Sequence, residues 1–537
     1  TYRLPRVLHW LSANRWHWID TVNHRMNYSG TGFEWLMAPL VVFTRSDRGL
    51  FLLNYVPWLL MPGAAFGCLR ELGVGGRVAW HWMWLLPLGW CYLLQAGGIG
   101  NDSYAALYLL LSVSLALRAQ RTRRLRDLWA GALAAALCTG SKASNLPLAL
   151  PFLIAAWPAR WLIPTRKAGS VAVAISCLVV SFLPLAVLNW KHTGSWTGDP
   201  QNTGKMELRN PVAGIEGNAM QLIVHNFEPP ILASALNGKL DKLNGTDFIR
   251  GLKQDYPRLN FATAELPQEE GAGAGAGLGI LFLVSLAAWR KRCEVQDQGQ
   301  KARIAHGYWI AIGAWIALGV YMAKIGSEAG QRLVAAYYPL CIALVLLHPG
   351  NARLVRRGWW RAVAFLVALS VFPALILDPG RPLWPAATIL HGLPARFRGN
   401  AIVKRMENVY EIYSRRPRLF APFVDRIPSG EKVIGFLDSG DNPASSLWEP
   451  FGGRRVVDFY PESEQRIFAE QPHIFIVASE GGIQKWYGEP AEQWIRDRGA
   501  VIITHESIIV KIHRGKPENW YLLDVPAPGQ TLQPAPP

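Results

Sequence analysis

The sequence predicts a polytopic α-helical membrane protein followed by a small soluble α/β domain. Half of the 537 residues are hydrophobic and only 17% are charged, a composition typical of chains embedded in a bilayer. About ten apolar segments precede residue 378, whereas short β-branched runs alternate with helix-like segments after residue 400. These observations exclude a disordered chain and a simple soluble protein.

Changes of composition along the chain divide it into successive parts. The predicted parts are exterior interfacial helices at 1–48, a transmembrane domain at 49–378 with an exterior loop at 191–275, a linker at 379–399, an exterior α/β domain at 400–524 and a disordered tail at 525–537. The predicted spans lie near residues 50–69, 78–96, 103–118, 128–140, 145–157, 169–188, 276–289, 307–324, 332–348 and 361–377. Several are shorter than the ~20 residues that cross a bilayer, so tilt or local thinning is expected.

The first part and the long loop are both predicted to border a cavity. Residues 1–48 mix aromatic, basic and apolar residues without a spanning run, which is typical of helices lying along a membrane interface. Trp10, Trp16 and Trp35 would then lie at headgroup level, together with Trp18. The loop 191–275 is too long for a simple connection, and loops of that length are often functional.

Basic residues identify the cytoplasmic side, because Lys and Arg accumulate in short cytoplasmic loops. They cluster in alternate loops at Arg70, Arg77, Arg118, Arg121, Arg123, Arg124, Arg126, Arg160, Arg166, Lys167, Arg290, Lys291, Arg292, Lys301, Arg303, Arg353, Arg356, Arg357 and Arg361. Much of the formal net charge of +17 is therefore a topology signal, and a nucleic-acid partner is not predicted. The α/β domain is predicted to be exterior. Since the chain begins with Thr1 in a stretch that also looks exterior, a further span is expected before Thr1.

A lysine interrupts the apolar run at 133–157. Lys142 lies in the segment 139–145, where Gly, Ser and Asn residues oppose helix continuation. A charge at membrane depth is costly and is a functional-site hypothesis by default. The alternative is that Lys142 extends its ammonium to the headgroups, as basic side chains near helix ends do. An ammonium in this position could bind an anion such as a lipid phosphate.

Polar residues recur at the exterior ends of the predicted spans. They are Asn101 and Asp102, Lys142, Asn189, and Glu328 with Arg332. Convergence of acid and cations at one rim would build a cavity for a phosphate-bearing lipid. Lys142 and Arg332 would neutralise the phosphate and make it a better leaving group. Asp102 is equally well explained as a helix N-cap, and Arg332 as an interfacial anchor.

Short motifs in this order resemble landmarks of the GT-C superfamily of membrane glycosyltransferases. They are Tyr2-Arg3-Leu4-Pro5-Arg6, Phe33-Glu34-Trp35-Leu36, Leu94-Gln95-Ala96 with Asn101-Asp102, Thr139-Gly140-Ser141-Lys142, Asn189-Trp190 with Gly194, and Gln331-Arg332-Leu333. The chain is similar to the branch of protein O-mannosyltransferases and lipid A aminoarabinose transferases over roughly residues 1 to 378. The resemblance implies an inverting sugar transfer from a polyprenyl-phosphate donor at the exterior, periplasmic face of the bacterial inner membrane.

The resemblance also implies roles for individual residues. Lys142 and Arg332 would bind the donor phosphate, and Asp102 and Glu34 are the catalytic candidates. The residues assigned to substrate binding are Tyr2, Arg6, His24, Asn189 and Glu328. The family's catalytic aspartate is expected shortly before Thr1.

The resemblance further defines the expected partners and leaves the cofactor open. The partners are the polyprenyl-phosphate sugar, membrane lipids and a glycan, lipid or protein acceptor. No metal ligand is assigned, because the histidines lack ligand spacing, and a divalent cation stays open as a cofactor. A chain with this composition could instead be a transporter or flippase for lipid-linked sugars, although it shows no internal repeat. A catalytically inactive membrane scaffold is the third alternative.

Overall fold

A computed structural model describes residues 2–198, 206–228, 233–263, 267, 269, 271–290, 297–327, 330–378, 385–415, 418–440, 442–510 and 517–529. The chain forms two compact units. Unit 1 comprises Thr1–Tyr28, Glu34–Leu50 and Glu407–Pro537, and unit 2 comprises Ser29–Phe33 and Phe51–Met406.

The described residues are mostly helical. The helices of the first half are α1 (Arg3–Ser12), α2 (Arg25–Tyr28), α3 (Gly32–Thr44), α4 (Leu52–Leu72), α5 (Gly76–Leu85), α6 (Trp90–Leu93), α7 (Asp102–Thr122), α8 (Leu125–Ser141), α9 (Ala149–Ala156), α10 (Lys167–Val180), α11 (Leu183–Thr193), α12 (Pro211–Asn226), α13 (Ala233–Asn244) and α14 (Asp247–Asp255). Those of the second half are α15 (Ala276–Ala287), α16 (Gln298–Lys324), α17 (Gly330–Leu333), α18 (Tyr338–Leu346), α19 (Gly350–Leu354), α20 (Gly358–Ile376), α21 (Pro385–His391), α22 (Ala395–Arg398), α23 (Ala401–Arg415), α24 (Ala421–Val424), α25 (Pro461–Glu470), α26 (Glu480–Tyr487) and α27 (Ala491–Asp497).

Unit 2 has the apolar helices of a membrane protein. Within the described ranges, three helical stretches are long and apolar enough to cross a bilayer, namely Leu52–Leu72, Ala143–Val180 and Gln298–Lys324. Shorter apolar helices lie at Gly32–Thr44, Ala276–Arg290, Ala335–Leu346 and Gly358–Pro373. The membrane location predicted from composition is therefore supported, whereas the predicted number of about ten spans is not confirmed.

Interruptions by proline and glycine account for part of this difference. The predicted span 78–96 consists of α5, a 3₁₀ turn at Leu86–Leu88 and α6. Pro87 lacks a backbone donor, so α5 ends at Leu85, and the extended ψ of 134° at Gly89 ends the 3₁₀ turn before α6 begins. This stretch is apolar throughout, but none of its helices is long enough to span a bilayer.

Helices α7 and α8 form an antiparallel pair that separates two groups of charges. At the end of α7, Arg121 donates to Glu71 at 2.8 Å, and Arg118 donates to Asp127 at 3.1 Å. Asp102 begins α7, about 30 Å away at a rise of 1.5 Å per residue. Arg118 and Arg121, two of the basic residues assigned to the cytoplasmic side, thus lie at the opposite end of α7 from Asp102.

Two glycines allow the backbone to approach the end of α8 closely. A Cβ added to Gly140 would lie 2.1 Å from the carbonyl oxygen of Val180, and one added to Gly30 would lie 2.3 Å from that of Ser141. Both clashes are with backbone atoms, which cannot rotate away. The segment preceding Lys142 is therefore fixed by α10 on one side and by residues 29–33 on the other.

Gly140→Ala is expected to destabilise unit 2 by about 3 kcal/mol, because the new methyl group would force α8 away from Val180. Thermal unfolding of the purified protein in detergent would show a lowered midpoint. Gly319→Ala is the matched control, since Gly319 is also helical and has no atom within 4 Å of its Cβ position. An equal effect of both substitutions would contradict the close-packing explanation.

Unit 1 contains a five-stranded sheet in the order β2-β1-β3-β5-β4. The strands are β1 (Val433–Leu437), β2 (Arg455–Asp458), β3 (His473–Ser479), β4 (Val501–Ile508) and β5 (Glu518–Pro526). β1 pairs in parallel with β2 and β3, and β5 pairs antiparallel with β3 and β4. The predicted α/β character of this domain is confirmed. One buried cluster includes Ile476, Trp494 and Leu523.

The first segment of the chain packs on this sheet domain in unit 1. Trp10 of α1 is only 7% exposed, and the imidazole of His9 lies 4.9 Å from the indole of Trp448. Thr21 and Val22 donate hydrogen bonds to the carboxylate of Asp458, whose pKa is raised to about 6 because burial outweighs these bonds. The apolar face of α1 therefore packs against protein within unit 1, and the interfacial position of residues 1–48 stays a prediction.

The last strand reaches into the predicted tail. Val525 is 1% exposed and is paired with Ile474, so the tail assigned from residue 525 begins too early. The buried residues of β5 include adjacent pairs, Leu522 with Leu523 and Val525 with Pro526, as expected for a strand that lies between β3 and β4 in the sheet. The predicted tail residues 530–537 and linker residues 379–384 lie outside the described residues, while the rest of the linker includes α21 and α22.

Candidate active site

The start of α7 is tied to the end of α8. Asn101 is the residue before α7, and its side-chain Nδ2 donates to the carbonyl oxygen of Ser141 at 2.8 Å. Asp102 is the first residue of α7, where the helix dipole favours a carboxylate. Because α8 returns antiparallel to α7, Lys142 follows directly at the same end. The predicted convergence of Asp102 and Lys142 is thus built by two packed helices.

Asp102, Lys142 and Arg332 form one ion-paired cluster in unit 2, which we call the charge cluster. The ammonium of Lys142 donates to Oδ1 of Asp102, and Nε of Arg332 donates to Oδ2 at 3.3 Å. The side chain of Asp102 is 3% exposed, whereas those of Lys142 and Arg332 are 15% and 22% exposed. The carboxylate therefore lies inside, and both cations retain an accessible part.

Local structure positions each cation. Lys142 has extended backbone angles between α8 and a 3₁₀ helix at Ala143–Leu148. Asn145 stabilises this break by donating from Nδ2 to Oγ of Ser141 at 3.0 Å. Near Arg332, the hydroxyl of Tyr337 donates to the carbonyl oxygen of Ser144 at 2.5 Å. This bond connects the segment that carries Lys142 to the segment that carries Arg332.

The charges of the cluster do not cancel. One carboxylate faces two cations, so the three side chains carry a net positive charge in a region of low dielectric constant, where electrostatic attraction is strong. Such a cluster attracts an anion. In the part of the chain that the structure describes, no group of three or more His, Cys, Asp and Glu residues could hold a metal ion.

The predicted residues of the first segment form a separate cluster in unit 1. Arg3 donates to Glu34 at 2.6 Å, and Nη1 of Arg6 lies 3.6 Å from the same oxygen, with Glu34 and Arg6 fully buried. The ring of Tyr2 faces the guanidinium of Arg3 at 5.4 Å. His24 is exposed. Glu34 therefore compensates buried arginines, which favours a structural role over an acid–base role.

Glu34→Gln is expected to lower the stability of the protein by about 3 kcal/mol, because it removes a buried negative charge that contacts two buried arginines. The measurement is thermal unfolding of the full chain in detergent. Glu462→Gln is the control, since Glu462 is exposed on α25. Unchanged stability of Glu34→Gln would show that the arginines do not need its charge.

Two further predicted residues do not join the charge cluster in the described contacts. Asn189 is buried near the end of α11, and its Nδ2 donates to the carbonyl oxygen of Trp196 at 3.2 Å. Glu328 lies outside the described residues. Their assignment to substrate binding stays a prediction.

Sequence reasoning did not assign Tyr337 to the site. Its hydroxyl connects the two cation-bearing segments, although in sequence it is simply an aromatic residue five positions after Arg332. The only sequence feature that could have pointed to Tyr337 is its place in the Tyr337-Tyr338-Pro339 sequence at the start of an apolar segment. A long-range bond to a backbone carbonyl has no sequence pattern of its own.

No protein-family model and no curated protein matches the chain by sequence. Similar solved structures include ArnT from Cupriavidus metallidurans bound to undecaprenyl phosphate, with 11% identity over 97% of this chain and 92% of that chain and a TM-score of 0.48. The archaeal oligosaccharyltransferase AglB from Archaeoglobus fulgidus, in complex with an inhibitory peptide and a dolichol-phosphate, has 13% identity over 89% of this chain and 65% of that chain, with a TM-score of 0.40. The arabinosyltransferase EmbB from Mycobacterium smegmatis has 14% identity over 65% and 40% of the two chains and a TM-score of 0.25.

With identities of at most 14%, the likeness concerns the fold alone. With TM-scores below 0.5, an activity cannot be transferred from these structures, so the function has to follow from the residues of this chain.

Proposed function

We propose that this protein transfers a sugar, with inversion at the anomeric carbon, from a polyprenyl-phosphate donor to an acceptor at the exterior face of the bacterial inner membrane. The observation that supports this proposal is the charge cluster, in which two partly accessible cations share one buried carboxylate. A net positive site at the end of apolar helices fits the phosphate of an amphiphilic lipid, whose chain lies in the membrane.

The two cations would act on the phosphate in different ways. Arg332 presents a planar fork of donors that can hold two phosphate oxygens, and Lys142 acts as a point charge. During transfer the acceptor hydroxyl oxygen forms a bond to the anomeric carbon, and the bond from that carbon to the phosphate oxygen breaks. The phosphate leaves with the electron pair, so preorganised cations stabilise the transition state more than the ground state.

Asp102 would position these cations. Both carboxylate oxygens already accept from cations, which makes Asp102 a poor acceptor for the proton of the attacking hydroxyl. The proton of the attacking hydroxyl therefore passes to a base other than Asp102. Unit 1 would shape access for the acceptor.

The test uses purified full-length protein in proteoliposomes with radiolabelled polyprenyl-phosphate sugars and a cell-envelope extract as acceptor. Transfer of label into the glycan, lipid or protein fraction, at a strongly reduced but measurable rate in Arg332→Ala, is the expected result. Movement of the labelled lipid between leaflets without transfer would instead identify a flippase. If the protein neither transfers the sugar nor binds polyprenyl phosphate, the scaffold alternative is favoured.

A further inference from the structure

We infer that Tyr256 is a positioning residue that holds Arg332 in place from the exterior loop. This inference rests on the proposed function, because it concerns how Arg332 is positioned to bind the donor phosphate. Tyr256 lies at the end of α14, far from Arg332 in sequence, and its side chain is 0% exposed. Its role depends on where its hydroxyl is bonded.

The hydroxyl of Tyr256 binds the backbone of Ser327, five residues before Arg332. It accepts from the amide of Ser327 at 2.8 Å, and it can donate to the carbonyl oxygen of the same residue at 2.9 Å. Amide oxygens of Asn218 and Gln221 lie within 3.2 Å and are alternative acceptors. One hydroxyl thus pairs both backbone groups of Ser327, which are costly to leave unpaired when buried.

Side-chain hydrogen bonds of Asn218 and Gln331 fix the chain before and after Ser327. Nδ2 of Asn218 lies within 2.9 Å of the carbonyl oxygen of Met322 and within 2.8 Å of that of Ile325. On the other side, Nε2 of Gln331 donates to the carbonyl oxygen of Gly271 at 2.5 Å. Asn218, Tyr256 and Gly271 all belong to the region between α11 and α15, so this region contacts the described backbone at 322–327 and the side chain of Gln331, next to Arg332.

Tyr256 is itself held rigidly. It belongs to a buried cluster with Leu208, Ile249, Leu252 and Phe261, which is the core of the exterior loop region. A Cβ added to Gly217 would lie 2.8 Å from the ring of Tyr256, which shows how tightly α12 packs against it. A rigid aromatic anchor with a bonded hydroxyl can fix a distant arginine, whereas a mobile side chain could not.

The test compares Tyr256→Phe with a matched control. Tyr321→Phe removes the hydroxyl of another fully buried tyrosine, which has no hydrogen-bond partner within the described residues. Tyr256→Phe is expected to raise the KM for the polyprenyl-phosphate donor about fivefold, and Tyr321→Phe to leave it unchanged. Gln331→Met, which removes the bond to Gly271, provides an independent second variant and should also raise KM.

Double variants separate positioning from general destabilisation. If Tyr256 acts through Arg332, adding Tyr256→Phe to Arg332→Ala should cause no further rise in KM, while adding it to Lys142→Met should cause the full fivefold rise. The same rise in both backgrounds would overturn the inference and indicate only a structural role.

Hydrogen exchange keeps the inference testable without transfer activity. Tyr256→Phe should accelerate exchange of backbone amides in residues 330–337, and Tyr321→Phe should not. If transfer fails in the parent protein but this difference in exchange occurs, the proposed function is wrong and the anchoring is correct. If transfer occurs but neither KM nor exchange responds to Tyr256→Phe, the proposed function is retained and the inference is wrong.

Discussion

Lys142→Met is expected to reduce sugar transfer on the order of 100-fold. The substitution removes a cation that contacts Asp102 and retains an accessible part for a phosphate oxygen. It also leaves one carboxylate and one guanidinium in the charge cluster, so the net positive charge of these side chains is lost and their attraction for an anion falls. The measurement is the initial rate of transfer together with the affinity for polyprenyl phosphate, and both should fall.

Three companion variants define what Lys142 does. Arg118→Met removes a cation that pairs with Asp127 at the opposite end of α7, and it should leave donor affinity unchanged. Lys142→Arg keeps the charge and should retain part of the activity. Asp102→Asn added to Lys142→Met restores a net positive charge through Arg332, so it should recover donor affinity about tenfold. Unaltered donor affinity in Lys142→Met would remove the assigned phosphate role.

The convergence of the charge cluster could be predicted because it follows from topology. Consecutive helices of a membrane protein run in opposite directions, so the start of α7 and the end of α8 must lie at the same end. Asn101-Asp102 and the break at Lys142 were recognisable in the sequence, and the structure brings Asp102 and Lys142 into contact. Arg332 begins the predicted span 332–348 at the exterior end. Its contact with Asp102 therefore also follows from the topology.

The partners of Glu34 could not be predicted in this way. Its place in a motif indicated a catalytic candidate, but a motif does not show which charges surround a side chain. Arg3 and Arg6, on a neighbouring helix of unit 1, contact its carboxylate. In the same way, apolar periodicity showed that α1 has a buried face without showing that the sheet domain covers it.

Hydrogen bonds over long sequence distances were the least predictable part of the site. Tyr256 is bonded to Ser327, 71 residues later, and Tyr337 to Ser144, 193 residues earlier. Neither residue differs in local sequence from a tyrosine that packs in a core. Predicting them would require the relative positions of α14, the 3₁₀ helices and α17 at atomic precision, which composition and periodicity do not contain.

Asp102→Asn is expected to lower kcat on the order of 100-fold while raising the affinity for polyprenyl phosphate about tenfold. The carboxylate and the phosphate are anions that compete for Lys142 and Arg332. Without the carboxylate the charge cluster has a larger net positive charge, which binds phosphate more tightly. The same cations then repel each other and lose their fixed positions, so the leaving phosphate is stabilised less well in the transition state. Product release should also slow, because the released lipid phosphate carries more negative charge than the donor.

Opposite changes in kcat and affinity distinguish this role from general-base catalysis. A base would be lost in Asp102→Asn with donor affinity unchanged, and the acidic limb of the pH profile of kcat would disappear. Asp127→Asn is the matched control, because Asp127 also pairs with an arginine near the opposite end of α7 and α8 and should change neither quantity. Equal loss of kcat and donor affinity in Asp102→Asn would contradict both the proposed role and general-base catalysis. It would mean that the carboxylate is needed only to stabilise the local structure that carries the two cations.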